Sequence, residues 1–319
     1  MALSRLFSPL KIGPVEVRNR IVSSGHDTVM AENGLPGDRM IAYQEARAAG
    51  GVGLIVVQVA GVHATAKYTS AVLMADDDAC VPHFARLADA AHTHGAKIFQ
   101  QLFHDGREIM ESGDGTLPVA LAPSAVPNER FLVMPRAMSL AEVREMVRCY
   151  GEAARRMREA GYDGVEVVAS HGYLPAQFLS SRTNLRTDEY GGDLAGRARF
   201  LIEVIAAVRD AAGPGLAVGV RISVGEEAPD GLTTDDSLEA LRLVGPLVDY
   251  VSVVQGTSAT LAGSDHIVPP MTFTPGYTAA AARAASTAPQ GPAALFQAGY
   301  EFIDLGLNDL AIAPLQRAF

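Results

Sequence analysis

Cysteine is nearly absent: Cys80 and Cys149, far apart in sequence, are the only two in 319 residues. That count excludes a disulfide framework and a cysteine-ligated zinc or iron–sulfur site, and it fits a reducing cytoplasm. Each cysteine reads as a small buried hydrophobe. Excess positive charge is also lacking. Lys and Arg number 26 against 36 Asp and Glu, for a formal net charge of −10 and a pI near 5.3. A phosphate-backbone binder needs a basic face, so nucleic acid is not an expected partner. No apolar run approaches the roughly 18 residues that cross a bilayer. The opening M-A-L-S-R-L-F-S-P has no signal-peptide core. A cytoplasmic protein without a membrane partner is therefore expected. No H-x-x-H, H-E-x-x-H or cysteine pair offers metal-ligand spacing, so no metal is expected. Internal repeats are missing, as are low-complexity tracts beyond Ala-rich helices.

What is present is ample core material, with 48% of the residues hydrophobic. Apolar strand-like runs alternate with helix-like runs nearly throughout. This predicts an α/β fold, a (β/α)8 TIM barrel, and one domain over 1–319. Pro9 to Arg18 reads as a short hairpin plugging the N-terminal end. Strands are expected at Arg20–Ser24, Gly53–Val59, Ala96–Leu102, Gly164–Val168, Leu216–Ile222, Asp249–Val254, Ala293–Gln297 and Asp309–Ala313. Helices fall between them, at about Asp38–Ala49, Val81–His94, Ser139–Ala160, Arg197–Ala212, Thr234–Gly245 and Ala279–Ala285. The S-x-x-E at Ser139 and Glu142 spells a capping box. From Phe103 to Met138 the periodicity stops. A loop this long inside a compact domain is usually functional. It reads as a lid over the barrel mouth, with Phe131 to Met134 available for packing.

In parallel α/β folds chemistry sits outside the carboxyl ends of the strands. Polar residues gather there: Ser23, Ser24, Gly25, His26 and Asp27, then Ala60, Gln101, His104, His171, Tyr173, Arg221 and Ser223. Structural polars would scatter over both rims, so this convergence marks a candidate site. His83, His92 and His94 share a helix face and read as solvated. Lys97 opens a strand at the opposite rim.

The stretch from Gly161 to Arg199 carries H-G-Y-L at 171–174, Q-F-L at 177–179 and N-L-R-T-D-E-Y-G-G at 184–192. It resembles the Old Yellow Enzyme family of NADH:flavin oxidoreductases. L-F-S-P-L-K-I-G, R-N-R-I, Q-L-F-H-D-G-R, A-P-S-A-V-P, P-R-A-M-S and G-V-R-I-S extend the likeness over most of residues 1–270. The resemblance implies a noncovalent FMN across the barrel mouth, reduced by NADH or NADPH. Ser24, Gly25, His26, Ala60 and Gln101 would hold the isoalloxazine. Arg221 would sit beside N1 and O2, where a guanidinium stabilises the reduced ring. Tyr173 would be the proton donor and His171 would bind a substrate carbonyl. The implied reaction is reduction of an activated C=C bond in an enone, enal or enoyl thioester.

The sequence departs from the family pattern in places. Many members carry a second carbonyl-binding His three residues before His171; this chain has Val168. His266, after the sixth strand, is expected to compensate, as in the 2,4-dienoyl-CoA reductase branch. S-G-H-D at 24–27 resembles that branch and its amine-dehydrogenase relatives, which attach flavin through a Cys where this chain has Asp27. Tyr300 stands where a phosphate-binding Arg is expected. Gln316 to Phe319 echo the phosphate loop, making Arg317 the candidate phosphate ligand. A homo-oligomer is expected, in which a partner subunit could complete the phosphate site. Two alternatives stay open: an amine dehydrogenase or demethylase, and a flavin-poor barrel with a non-redox or scaffold role.

Overall fold

The computed structural model describes residues 4–111, 119–274, 276–286, 293–298 and 301–304. The strands that carry the fold are β1 Val22–Ser23, β2 Leu54–Gly61, β3 Lys97–Phe103, β4 Gly164–Ala169, β5 Ala217–Ser223, β6 Tyr250–Val254 and β7 Ala293–Ala298. They are hydrogen-bonded side by side in chain order, each pair parallel. The helices are α1 Asp38–Ala49, α2 Val81–Thr93, α3 Leu140–Glu159, α4 Leu174–Leu179, α5 Leu194–Ala212, α6 Thr234–Val244, α7 Leu261–Ile267 and α8 Ala279–Ser286. Parallel strands need a crossover of a dozen or more residues, and the longer helices supply it.

β2, β3, β4 and β5 are buried along nearly their whole length, as expected of strands covered on both faces. Their outward side chains join the helices in one large core. Their inward side chains show that the sheet is curled. Leu54 and Val56 of β2, Phe99 of β3, Ala217 of β5 and Tyr250 of β6 meet in a single cluster. The strands Leu10–Ile12 and Val15–Val17 form the expected hairpin and drive Ile12, Val15 and Val17 into that cluster. The hairpin thus closes the end where the strands begin, and the opposite end is left for a site.

Local chemistry explains the elements. Ser139 and Glu142 form the reciprocal capping box that starts α3. Arg136 binds Glu142 and, with the Ser139 N–H, holds its carboxyl down at about 2. Asn184 donates to Phe178 O and Tyr190 O, and Arg186 bridges Asp188, Pro123 O and Met138 O. The N-L-R-T-D-E-Y-G-G run is therefore a clasp.

Some expectations need correction. His92 bonds Asp163 at 2.7 Å and His94 bonds Glu45 at 3.2 Å, so both are paired rather than simply solvated. Leu132 and Met134 are 84% and 66% exposed, not packed. Glu301–Asp304 adds an unexpected antiparallel strand to β7. The expected strand Asp309–Ala313 lies outside the described residues, as does 112–118 of the lid.

Candidate active site

The inward faces of the strands stack in three levels. The apolar floor is the hairpin cluster. Above it lies a polar level of Gln101, Glu166, Arg221 and Ser252. Register explains it: Gln101 is paired with Glu166 across β3 and β4, and Arg221 with Ser252 across β5 and β6. Gln101 Nε2 donates to Glu166 Oε1 at 2.7 Å, and Tyr250 Oη donates to Glu166 Oε2 at 2.9 Å. Arg221 Nη1 donates to Ser252 Oγ at 3.1 Å. Glu166 and Arg221 are only 2% and 4% exposed. A buried charge needs compensation. Burial depresses the Arg221 guanidinium, and the Glu166 carboxylate is the largest influence holding it up. Guanidinium nonetheless stays charged in proteins.

The upper level is Val59, Tyr68, Val72, Met74, Phe103 and Val168, with Tyr173 packed against them. A cavity of about 510 Å³ opens above the polar level. Its wall includes Ser24, Gly25, His26, Gln101, His171, Tyr173 and Arg221, so residues spread over two hundred positions meet in one space.

His171 and Tyr173 follow β4 in a tight turn. His171 has φ +61° and Gly172 φ +80°. A non-glycine residue there is uncommon and marks a held conformation. Gly172 is needed for a second reason: a Cβ would come 2.4 Å from Thr257 Oγ1. His171 N–H donates to Ser223 Oγ, and His171 O accepts from Ser258 N. Its Nδ1 lies 2.6 Å from Ser170 Oγ. Burial, helped by Arg221, pushes the imidazole down to about 3, so the ring is neutral. Tyr173 is raised above the usual phenol range, first by burial and then by the Glu108, Asp105 and Asp27 carboxylates. Its hydroxyl keeps its proton.

Other expected residues fall elsewhere. Ala60 is fully buried in the outer core and does not line the cavity; Val59 does. A register shift between Val57 and Val59 displaces the alternation there. His266 on α7 turns its ring edge-on to Phe273 at 4.9 Å, with Nδ1 bonded to Ala262 O. The cavity wall takes its successors Ile267, Val268 and Pro269 instead. Arg317 lies outside the described residues. The described parts of the expected lid, 103–111 and 119–138, contribute nothing to the cavity wall. The second part is tied alongside, through Arg107 to Val126 O and Pro127 O and through Arg130 to Ser258 O. His104 is sealed beneath, with Thr65 Oγ1 at 2.9 Å. Three polar wall residues, Tyr43, Arg47 and Tyr68, went unassigned from sequence. Asp27 Oδ2 accepts from Tyr68 Oη at 2.5 Å, and Arg47 lies 3.4 Å over the Tyr43 ring.

The sequence profile of the NADH:flavin oxidoreductase / NADH oxidase family matches residues 5–265. The chain belongs to that family. The chain is 40% identical over 235 residues to a metal reductase of Desulforamulus reducens, a match covering 74% of this chain and 35% of that protein. It thus spans little more than a third of that relative's length. It is 35% identical over 279 residues to an NADPH dehydrogenase of Listeria monocytogenes, covering 86% and 78%. Among solved structures, a 2-naphthoyl-CoA reductase in complex with 2-naphthoyl-CoA superposes with a TM-score of 0.87 at 27% identity, covering 98% of this chain and 49% of that one. FMN is the family's cofactor and NADH or NADPH its reductant.

The cavity fits that cofactor. Its volume lies within the range of small-molecule sites. Gly25 leaves a flat wall, since a Cβ there would come 2.4 Å from Gln101 Oε1. A carboxamide and a buried guanidinium supply the polar complement that a flavin's amide edge and its N1 and O2 side require.

Proposed function

We propose that this flavin oxidoreductase reduces an activated C=C bond in an enone, enal or enoyl thioester. FMN, when bound, supplies hydride drawn from NADH or NADPH. Gln101, Ser24, Gly25 and His26 would hold the ring, and Arg221 would face the side where negative charge collects. His171 would donate from Nε2 to the substrate carbonyl oxygen. Ser170 at Nδ1 accommodates that tautomer: with the hydroxyl donating to Nδ1, the ring proton sits on Nε2. Such a donor stabilises the enolate charge that develops during hydride addition. Tyr173 would then protonate the α-carbon, and its raised pKa keeps the donor loaded at working pH. Val59, Tyr68 and Val168 would shield that proton from bulk water. Closure of a full (β/α)8 barrel around the site is part of the same reading.

The observation that carries the reading is the meeting of Tyr173, His171, Gln101 and Arg221 in one cavity. Purified protein should show a flavin spectrum, bleach with NADPH or NADH under anaerobic conditions, and recover its colour on adding an enone. Protein that stays colourless after reconstitution with FMN would reject the reading. A second reading, amine oxidation, draws support from Asp27: its carboxylate stands beside the Tyr68 and Tyr173 rings, a setting suited to an ammonium group. Anaerobic bleaching by a secondary or tertiary amine but not by NADPH would favour it.

A further inference from the structure

Behind the His171–Tyr173 turn, outside the cavity wall, lies a carboxyl group with no part in the mechanism above. Glu108 is 1% exposed and follows the Q-L-F-H-D-G-R segment. Its Oε1 would stand 3.2 Å from a Cβ placed on Gly172, so it presses against the middle of the turn. Its Oε2 lies 2.7 Å from Ser258 Oγ. The same Ser258 Oγ lies 2.8 Å from His171 O.

Proton counting decides what this chain of three oxygens contains. A serine hydroxyl carries one hydrogen, and a peptide carbonyl carries none. With Glu108 ionised, the Ser258 hydroxyl can donate to the carboxylate or to the carbonyl but not both, while the Ser258 N–H keeps its own bond to His171 O. With Glu108 protonated, the carboxyl donates to Ser258 and Ser258 donates to His171 O, and both contacts are made. We propose that Glu108 is a positioning residue: as a neutral carboxylic acid it fixes Ser258, and through it the backbone carbonyl of the turn that presents His171 and Tyr173. Loss of that proton would draw the Ser258 hydroxyl away from His171 O, leave that carbonyl the Ser258 N–H alone, and loosen the turn.

The surroundings favour the neutral acid. On its own segment Arg107 faces it with Nε 3.8 Å from Oε1, beyond hydrogen-bond reach, while Arg107 Nη1 is spent on Val126 O and Pro127 O. Asp105, fully buried, adds a second carboxyl on that segment. From the loop after β5 Glu226 opposes ionisation, from the loop after β4 Tyr173 stands in range, and Thr257 and Ser258 after β6 bring no charge. Arg130 reaches Ser258 O from the lid. Burial raises the Glu108 carboxyl to about 7, against the pull of Ser258, Arg107 and Asn128.

The activity arm of the test rests on the alkene-reductase reading; the spectroscopic arm does not. Infrared difference spectra of the purified protein should show a protonated-carboxyl band that disappears with a midpoint near neutral pH. The band should be missing in Glu108→Gln, whose amide donates to Ser258 at every pH. Reoxidation of the reduced protein by an enone should slow several-fold above neutral pH in the wild type and lose that transition in the variant. The proposal is overturned if no carboxyl band titrates near neutrality, if the band survives in the variant, or if the variant keeps the alkaline decline.

Discussion

Ser170 Oγ and His171 Nδ1 stand 2.6 Å apart, one residue from each other along the chain, at the point where β4 ends. Neighbours in a strand point to opposite faces. Here the positive φ of His171 turns its ring back toward the preceding side chain. The contact occupies Nδ1, so Nε2 is the nitrogen that would meet a ligand.

Replacing His171 with Ala should spare reduction of the flavin by NADPH and slow its reoxidation by an enone about a hundredfold, the usual cost of one oxyanion donor. Stopped-flow absorbance measures the two half-reactions separately. Equal loss in both would place His171 in flavin binding instead.

Between about pH 5 and 6.5 stability should fall on acidification less steeply than the two buried histidines alone would make it, for a reason that a variant can expose. His104 and His171 both titrate near 3 when folded and near 6.5 when unfolded. Below 6.5 the unfolded chain takes up their protons first, so these two groups remove stability as pH falls. Glu108, raised to about 7, and Asp105, also raised, act in the other direction. They favour the folded chain at low pH and lose that contribution as pH rises through their folded values. The Glu108 proton therefore offsets one of the two histidine protons. Glu108→Gln removes that offset, so its urea stability should fall by about 1.4 kcal/mol per pH unit more steeply on acidification than that of the wild type. A variant profile with the wild-type slope would show that Glu108 titrates normally.

Arg221→Met should lower FMN affinity about ten- to hundredfold, the range expected for losing a hydrogen bond from a charged donor. It also leaves Glu166 buried without its cationic neighbour, so the melting temperature should fall even without FMN. Arg221→Lys should rescue only part of this, because an ammonium lacks the planar fork. Fluorescence titration with FMN and thermal melts give the two readouts.

Gly25→Ala tests the flat wall. Its Cβ would arrive 2.4 Å from Gln101 Oε1 and force that carboxamide away from Glu166. FMN binding should weaken while circular dichroism stays unchanged. Wild-type affinity in this variant would place the ring elsewhere in the cavity.

Much of this architecture was legible in the sequence because it is local. The S-x-x-E at Ser139 announces α3, and continuous apolar runs announce β2 to β6. Residues placed just past strand ends, His171 and Tyr173 above all, fall where the fold puts reactive groups. What escaped is long-range or irregular. The bulge between Val57 and Val59 leaves no mark in the residue pattern, yet it decides that Val59 rather than Ala60 lines the cavity. Glu166 reads as one polar residue inside an apolar strand. Only the register across β3, β4 and β6 shows it beside Gln101 and above Tyr250. His266 looked available because it follows β6, but the aromatic contact with Phe273 turns its ring another way.

Tyr173→Phe bears most directly on the central claim. The variant keeps the ring that packs on Phe103 and Tyr68 and loses only the hydroxyl. Rapid mixing of the NADPH-reduced protein with an enone should show flavin reduction at the wild-type rate and alkene-dependent reoxidation slowed by about a hundredfold or more, as for loss of a general acid. Wild-type reoxidation in this variant would contradict the assignment of Tyr173 as proton donor, and with it the alkene-reductase reading of the cavity.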